Sequence, residues 1–189
     1  NVLLYGPPGT GKSTMAEYVV EKLKEHDSSV TWGSVNCWKY PSRFKVYYQL
    51  LQGMGERMIH RTGTPTDELV EKFEQKIRSR PSVVILDEAD QIEDERILYD
   101  MARYTRTGLI MIANQENVFY NIDERIRSSL SSRRNIRFRA YETGELLDIL
   151  KDRRKWGLKP DTVETSQLRK IASRANGDAR IAINSLRIA

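Results

Sequence analysis

Gly6-Pro7-Pro8-Gly9-Thr10-Gly11-Lys12-Ser13 separates two opposite patterns. Ahead of it stands Val2-Leu3-Leu4-Tyr5, a short apolar run that reads as a buried strand. Behind it Met15, Val19 and Leu23 recur on one face of a helix predicted over residues 13–25. A glycine-rich turn between strand and helix lets backbone N–H groups close around phosphate oxygens, and the helix N-terminus adds the positive end of its dipole. In that setting the Lys12 ammonium reaches β- and γ-phosphates, and the Ser13 hydroxyl ligands Mg2+.

Outward from this loop, apolar runs at 30–36, 83–86 and 109–113, with 135–138 as a fifth strand, alternate with amphipathic stretches. Phe44, Tyr47, Tyr48, Leu51 and Met54 form one helical stripe; Leu69, Val70, Phe73 and Ile77 form another, stopped by Pro81. That alternation predicts an α/β fold with a five-stranded parallel sheet flanked by helices. After Tyr141 the texture changes. Leu146, Leu147, Ile149 and Leu150 with Trp156, then Leu168, Ile171, Ala172 and Ala175, then Ile181, Ile183 and Leu186, fit helices with no strand between them. The expected division is an α/β nucleotide-binding domain over 1–140 and a small all-α domain over 141–189. The chain starts inside a strand pattern and stops on a helical one, which reads as an excerpt of a longer protein.

Two further features belong to the sheet edge. Val83-Val84-Ile85-Leu86 runs into Asp87-Glu88, which places two carboxylates at the carboxyl end of a strand, beside the phosphate loop. Asp87 is expected to hold Mg2+ through water, and Glu88 to polarise an attacking water as general base. Asn114, after the strand 109–113, ends at the same edge, where its amide can orient that water. Asp87-Glu88-Ala89-Asp90 also spells the signature of a helicase superfamily, but the Ser-Ala-Thr motif those enzymes carry downstream is absent.

Residues 6–13, Asp87-Glu88, Asn114 and Gly177-Asp178-Ala179-Arg180 occur in the order of Walker A, Walker B, sensor 1 and sensor 2, so the chain resembles AAA+ ATPases. More closely it resembles the archaeal origin-recognition (Orc/Cdc-type) replication initiators. The matching features are Val35-Asn36-Cys37, Leu98-Tyr99-Asp100, the run Ile122-Asp123-Glu124-Arg125-Ile126-Arg127, and Arg137-Phe138-Arg139-Ala140-Tyr141. The resemblance implies that Gly9, Thr10, Gly11, Lys12 and Ser13 bind ATP or ADP with Mg2+, and that residues 141–189 form a lid. Tyr141 and Arg153 match nucleotide-contacting positions. Arg180 matches the sensor 2 arginine that reaches the γ-phosphate. Arg125 matches an arginine finger acting on a neighbour's ATP, with Arg127, Arg133 and Arg134 as rivals. The implied activity is slow, assembly-dependent ATP hydrolysis in a switch that acts at origins and helps load the replicative helicase. Double-stranded origin DNA, that helicase and other initiator subunits are the implied partners. The family's winged-helix domain, its main reader of origin DNA, is expected outside this stretch. Within the ATPase part, the family's DNA-contacting insertion falls near residues 39–45, where Trp38, Lys39, Tyr40, Arg43 and Lys45 mix aromatic with basic side chains. A clamp-loader subunit of the replication factor C type has the same motif order, but Ser132-Arg133-Arg134 matches its Ser-Arg-Cys finger only in part.

Composition agrees with this reading. The 189 residues are 39% hydrophobic and 30% charged, and no apolar run approaches the ~20 residues that span a bilayer. No basic-then-apolar leader opens the sequence, and a single cysteine, Cys37, excludes an internal disulfide, so a reducing cytoplasm is expected. The net charge of +5 is uneven: residues 122–189 carry 16 basic against 9 acidic groups, and the preceding 121 carry 15 against 17. A basic distal third suits a polyanionic partner. His26 and His60, each without a second ligand at metal-binding spacing, read as surface residues.

Overall fold

A computed structural model describes residues 1–56, 59–60, 63–159 and 162–188. Packing divides the chain into two compact units, Asn1–Tyr5 with Ser13–Ile136 and Gly6–Lys12 with Arg137–Ala189.

The first unit is built on five strands: β1 (Val2–Tyr5), β2 (Thr31–Asn36), β3 (Ser82–Asp87), β4 (Thr107–Ala113) and β5 (Arg134–Arg137). Their order is β2-β3-β4-β1-β5, and the pairs β2/β3, β3/β4 and β1/β4 run parallel. Tyr5 pairs with Ala113 and Asn36 with Asp87, so the carboxyl ends of the strands form one edge. Burial on both sheet faces explains the near-continuous apolar runs: Leu3 and Leu4 in β1, and Met111 and Ile112 in β4, are all buried. The crossovers are α1 (Lys12–His26), α2 (Arg43–Gly53), α3 (Thr66–Ser79), α4 (Arg96–Arg103) and α5 (Glu124–Ser129). Tyr47, Leu50, Phe73, Ile97 and Met101 from these helices join Val84, Leu86 and Leu109 in one core. Tyr47 meets Phe73 edge-on at 5.3 Å between ring centroids, an arrangement that adds to the area both rings bury.

In α1 the apolar stripe proves to be the outer face. Val19 is 51% exposed, and Met15 and Leu23 are exposed with it, whereas Ala16 and Val20 (1%) are buried. The buried pair is smaller. Short side chains let a helix backbone lie close to its neighbour, where Met and Leu would hold it off. The short helices α4 and α5 are absent from the sequence reading; each spans too few residues for periodicity to register.

The second unit holds α6 (Thr143–Gly157), α7 (Thr165–Arg174) and α8 (Ala179–Ile188) around Leu146, Leu150, Leu168, Ala172, Ala182 and Leu186. Reciprocal capping boxes, Glu142 with Glu145 and Glu164 with Gln167, start α6 and α7. Trp156, read with the apolar stripe of α6, stands in solvent instead; Lys155 lies over its ring, 5.3 Å from the centroid. The five-stranded parallel sheet flanked by helices and the all-α unit are the expected fold class. Among the described residues no helix is long and apolar enough to cross a membrane.

Candidate nucleotide-binding site

The loop Gly6–Lys12 packs within the second unit, where its shape is fixed by internal hydrogen bonds. The Thr10 hydroxyl donates to the Pro7 carbonyl at 2.9 Å, and the Lys12 ammonium donates to the carbonyls of Gly6 (2.7 Å) and Pro7 (2.8 Å). Lys12 is only 8% exposed, so its charge sits in a poorly solvated place where electrostatic interactions are strong. Gly9 (φ +72°) and Gly11 (φ +85°) adopt left-handed backbone that side-chain-bearing residues avoid. Space enforces the same choice. A Cβ on Gly9 would run into the Asp178 carboxylate, and one on Gly11 would stand 3.1 Å from the Tyr141 hydroxyl. The Ala179 N–H, in the first turn of α8, donates to the Gly9 carbonyl at 3.1 Å. Tyr141 is therefore brought to the loop by direct contact. Arg180 lies exposed one residue further into α8, its guanidinium 3.5 Å from Asp178. Arg153 is exposed on α6.

In the first unit, Ser13 at the start of α1 donates its hydroxyl to Asp87 Oδ2 at 2.9 Å. This bond joins two motifs that the sequence places far apart. The other carboxylate oxygen of Asp87 accepts the Glu88 N–H at 3.0 Å, and the Asp87 carbonyl accepts the Cys37 N–H at 2.7 Å. Glu88 itself is left-handed (φ 53°, ψ 48°), a conformation that costs a non-glycine residue about 1–2 kcal/mol and that turns the chain sharply off β3. Such strain at a strand end is characteristic of functional positions. Behind the edge, burial pushes the Cys37 thiol up to about 12, and the charges of Asp87, Asp90 and Glu88 push the same way. The thiol stays neutral, and the edge carries the negative charge a cation would meet. Asn114 is exposed immediately after β4, one residue beyond the Ala113–Tyr5 pair.

Magnesium prefers hard oxygen ligands and keeps several waters. The Ser13 hydroxyl and the Asp87 carboxylate, in contact, offer such a pair. Among the described residues no cluster of three or more acidic, histidine or cysteine side chains forms a metal site. The ion therefore fits here only with phosphate and water oxygens completing its shell.

The finger candidates differ in freedom. Arg125, in the first turn of α5, has an 84% exposed side chain with Nε 3.6 Å from Asp123, whose carboxylate caps the helix by accepting the Arg125 N–H at 2.8 Å. A groove of about 520 Å3 runs beside it, lined by Tyr99, Asp100, Asp123 and Ile126 among others. Arg127 is exposed and donates to the Tyr120 carbonyl at 3.4 Å; Arg133 donates to the Leu130 carbonyl and lies over the Phe119 ring; Arg134 is exposed in β5. In the basic–aromatic segment that leads into α2, Trp38, Lys39 and, within the helix, Lys45 are exposed. Arg43 is engaged otherwise: its guanidinium binds Asp100 at 2.9 Å, and the Tyr47 hydroxyl shares that carboxylate at 3.2 Å. Sequence reasoning missed Asp100 as the partner of Arg43 and Asp178 as the neighbour of Gly9. The signal for Asp178 is its place before α8, where an aspartate caps a helix.

Residues 1–118 match the AAA domain family, and residues 147–189 match the Cdc6 AAA+ ATPase-type lid domain. The chain is 42% identical over 189 residues to the ORC1-type DNA replication protein 1 of Halobacterium salinarum, covering 99% of this chain and 61% of that protein. It is 43% identical to ORC1-type DNA replication protein 9 of the same organism, covering 53% of it. The chain thus spans between half and two thirds of the length of these curated relatives. Its fold superposes on the Aeropyrum pernix ORC1 protein in complex with DNA with a TM-score of 0.86 at 28% identity, over 100% of this chain and 53% of that one. Pyrobaculum aerophilum Cdc6p shares the fold with a TM-score of 0.82 at 24% identity, over 98% of this chain and 53% of its own. The chain belongs to the AAA domain family, and the lid family and curated relatives it matches are of the Cdc6 and ORC1 type.

Proposed function

We propose that this chain is the ATP-binding and ATP-hydrolysing switch of a DNA replication initiator that acts at origins and helps load the replicative helicase. The observation that carries the reading is Lys12: a buried ammonium aimed at the carbonyls of its own glycine-rich loop, followed directly by a serine bonded to the strand-end Asp87. Replication-initiator names among the relatives turn the reading away from a clamp-loader subunit.

In this reading residues 1–140 form the nucleotide-binding domain and 141–189 the lid. Gly9, Thr10, Gly11, Lys12 and Ser13 hold the phosphates of ATP or ADP, with Tyr141 and Arg153 as further nucleotide contacts. Ser13 and Asp87 hold Mg2+, which when bound neutralises charge developing on the phosphate oxygens. Glu88 takes the proton of the attacking water, and Asn114 orients that water. Arg180 from the lid and Arg125 from a neighbouring subunit stabilise the transition state. Duplex DNA contact follows the Aeropyrum ORC1 precedent, with origin-sequence reading assigned to parts of the whole protein beyond this stretch. Other initiator subunits and the helicase complete the assembly, in the cytoplasm.

Calorimetric titration with ATP and ADP, with and without Mg2+, tests the core of this reading: saturable binding is expected, tighter with the metal. Absence of binding by the folded protein refutes it. Duplex DNA should bind this stretch without sequence preference and fall off steeply with salt, because lysine and arginine contacts release counterions.

A further inference from the structure

We propose that Asp178 is a positioning residue that restrains Arg180, so that the lid arginine engages a third phosphate only by giving up that carboxylate. The inference rests on the reading of the loop as a nucleotide site and of Arg180 as a γ-phosphate contact.

Asp178 is shared between a helix cap, an arginine and the glycine-rich loop. One carboxylate oxygen accepts the N–H groups of Arg180 (2.7 Å) and Ile181 (3.2 Å), capping α8. The other lies 3.5 Å from the Arg180 guanidinium. The same carboxylate packs against Gly9, at a place that any larger residue would need. Main-chain bonds fix the geometry on both sides, from the Ala179 N–H to the Gly9 carbonyl (3.1 Å) and from the Tyr141 N–H to the Gly177 carbonyl (3.2 Å).

Capping does not require the charge. Asparagine and serine cap helices about as well as aspartate, because the cap is an oxygen accepting backbone N–H groups. A negative charge against the phosphate loop therefore has a separate consequence. It repels the anion the loop would bind, and it competes with that anion for Arg180. The competition is winnable. The Asp178 side chain is 18% exposed but that of Arg180 is 66% exposed, and an ion pair at 3.5 Å in that setting is weak. A terminal phosphate with its greater charge displaces the carboxylate, whereas a diphosphate, lacking the group Arg180 would meet, leaves the pair closed. Asp178 thus weakens ATP binding through Arg180 while leaving ADP, which does not open the pair, less affected.

The test measures ATP and ADP affinities of wild type, Asp178→Asn and Asp178→Ser, each alone and with Arg180→Ala. Removing the charge should tighten ATP by about 3- to 10-fold and ADP by less, raising the ATP-to-ADP ratio. In the Arg180→Ala background that rise should disappear. A purely structural cap would move the melting temperature and leave the ratio alone, so an unchanged or lower ratio in both folded variants overturns the proposal. A rise that persists without Arg180 overturns it as well. Wild type that binds neither nucleotide removes the underlying reading, and the proposal with it.

Discussion

Lys12 and Arg125 carry the same charge in opposite surroundings. The lysine is 8% exposed and donates two hydrogen bonds of 2.7 and 2.8 Å to loop carbonyls. The arginine, at the start of a six-residue helix, extends into solvent with an 84% exposed side chain. A group that holds a ligand's phosphates in its own chain gains from being oriented in advance, since nothing then reorganises on binding or reaction. A group that enters another subunit's site has to leave its own surface, and packing it down would defeat it. Arg180, on the lid, is exposed too, and each arginine has one acidic neighbour, Asp178 at 3.5 Å and Asp123 at 3.6 Å. The difference between buried lysine and exposed arginine is the difference expected between binding in cis and completion in trans.

That contrast can be broken at four places. The largest effect belongs to Lys12→Ala, which should abolish calorimetric ATP binding while circular dichroism shows a folded protein; unchanged affinity would mean that the buried charge does not hold phosphate. Next comes Arg125→Ala, expected to lower turnover about 10³-fold under assembling conditions, as removal of an arginine finger does, with nucleotide affinity nearly unchanged. A matching loss of affinity would place Arg125 in a binding role instead. Glu88→Gln keeps the shape and removes the base, so turnover should fall about 10²-fold while bound ATP persists longer, read by single-turnover kinetics. Wild-type turnover would remove Glu88 from the mechanism.

The smallest prediction concerns packing. Val20→Ala should cost about 2 kcal/mol in a denaturant melt, as a buried truncation, whereas Val19→Ala one position along should stay within about 0.5 kcal/mol. Equal costs would contradict the assignment of the α1 inner face.

The α1 pair also shows where sequence stops being informative. The strands and the glycine loop are legible because their signals are contiguous: an apolar run buried on both sides, then residues whose chemistry needs that spacing. Asp87 is the last residue of β3, so the sheet edge is legible once the strand is. The face of α1 is not, because Met15, Val19 and Leu23 outweigh Ala16 and Val20 in hydrophobicity while close packing selects the smaller side chains. The Asp178–Gly9 contact is invisible for another reason. It joins the two ends of the chain through a fold that brings the loop Gly6–Lys12 into the helical unit, and no local pattern marks it. Arg43 shows the same limit, since a basic residue in a basic–aromatic segment turns out to be bonded to a distant Asp100.

The central claim is that one subunit holds ATP and a neighbour supplies the arginine, and a mixing experiment tests it most directly. Arg125→Ala protein offers an intact pocket and no finger; Lys12→Ala protein offers a finger and no pocket. Each alone should be nearly inactive under assembling conditions, and the mixture should recover part of the wild-type ATPase rate. No recovery in a mixture shown to co-assemble, or full activity of a monomeric Arg125→Ala protein, would contradict the account.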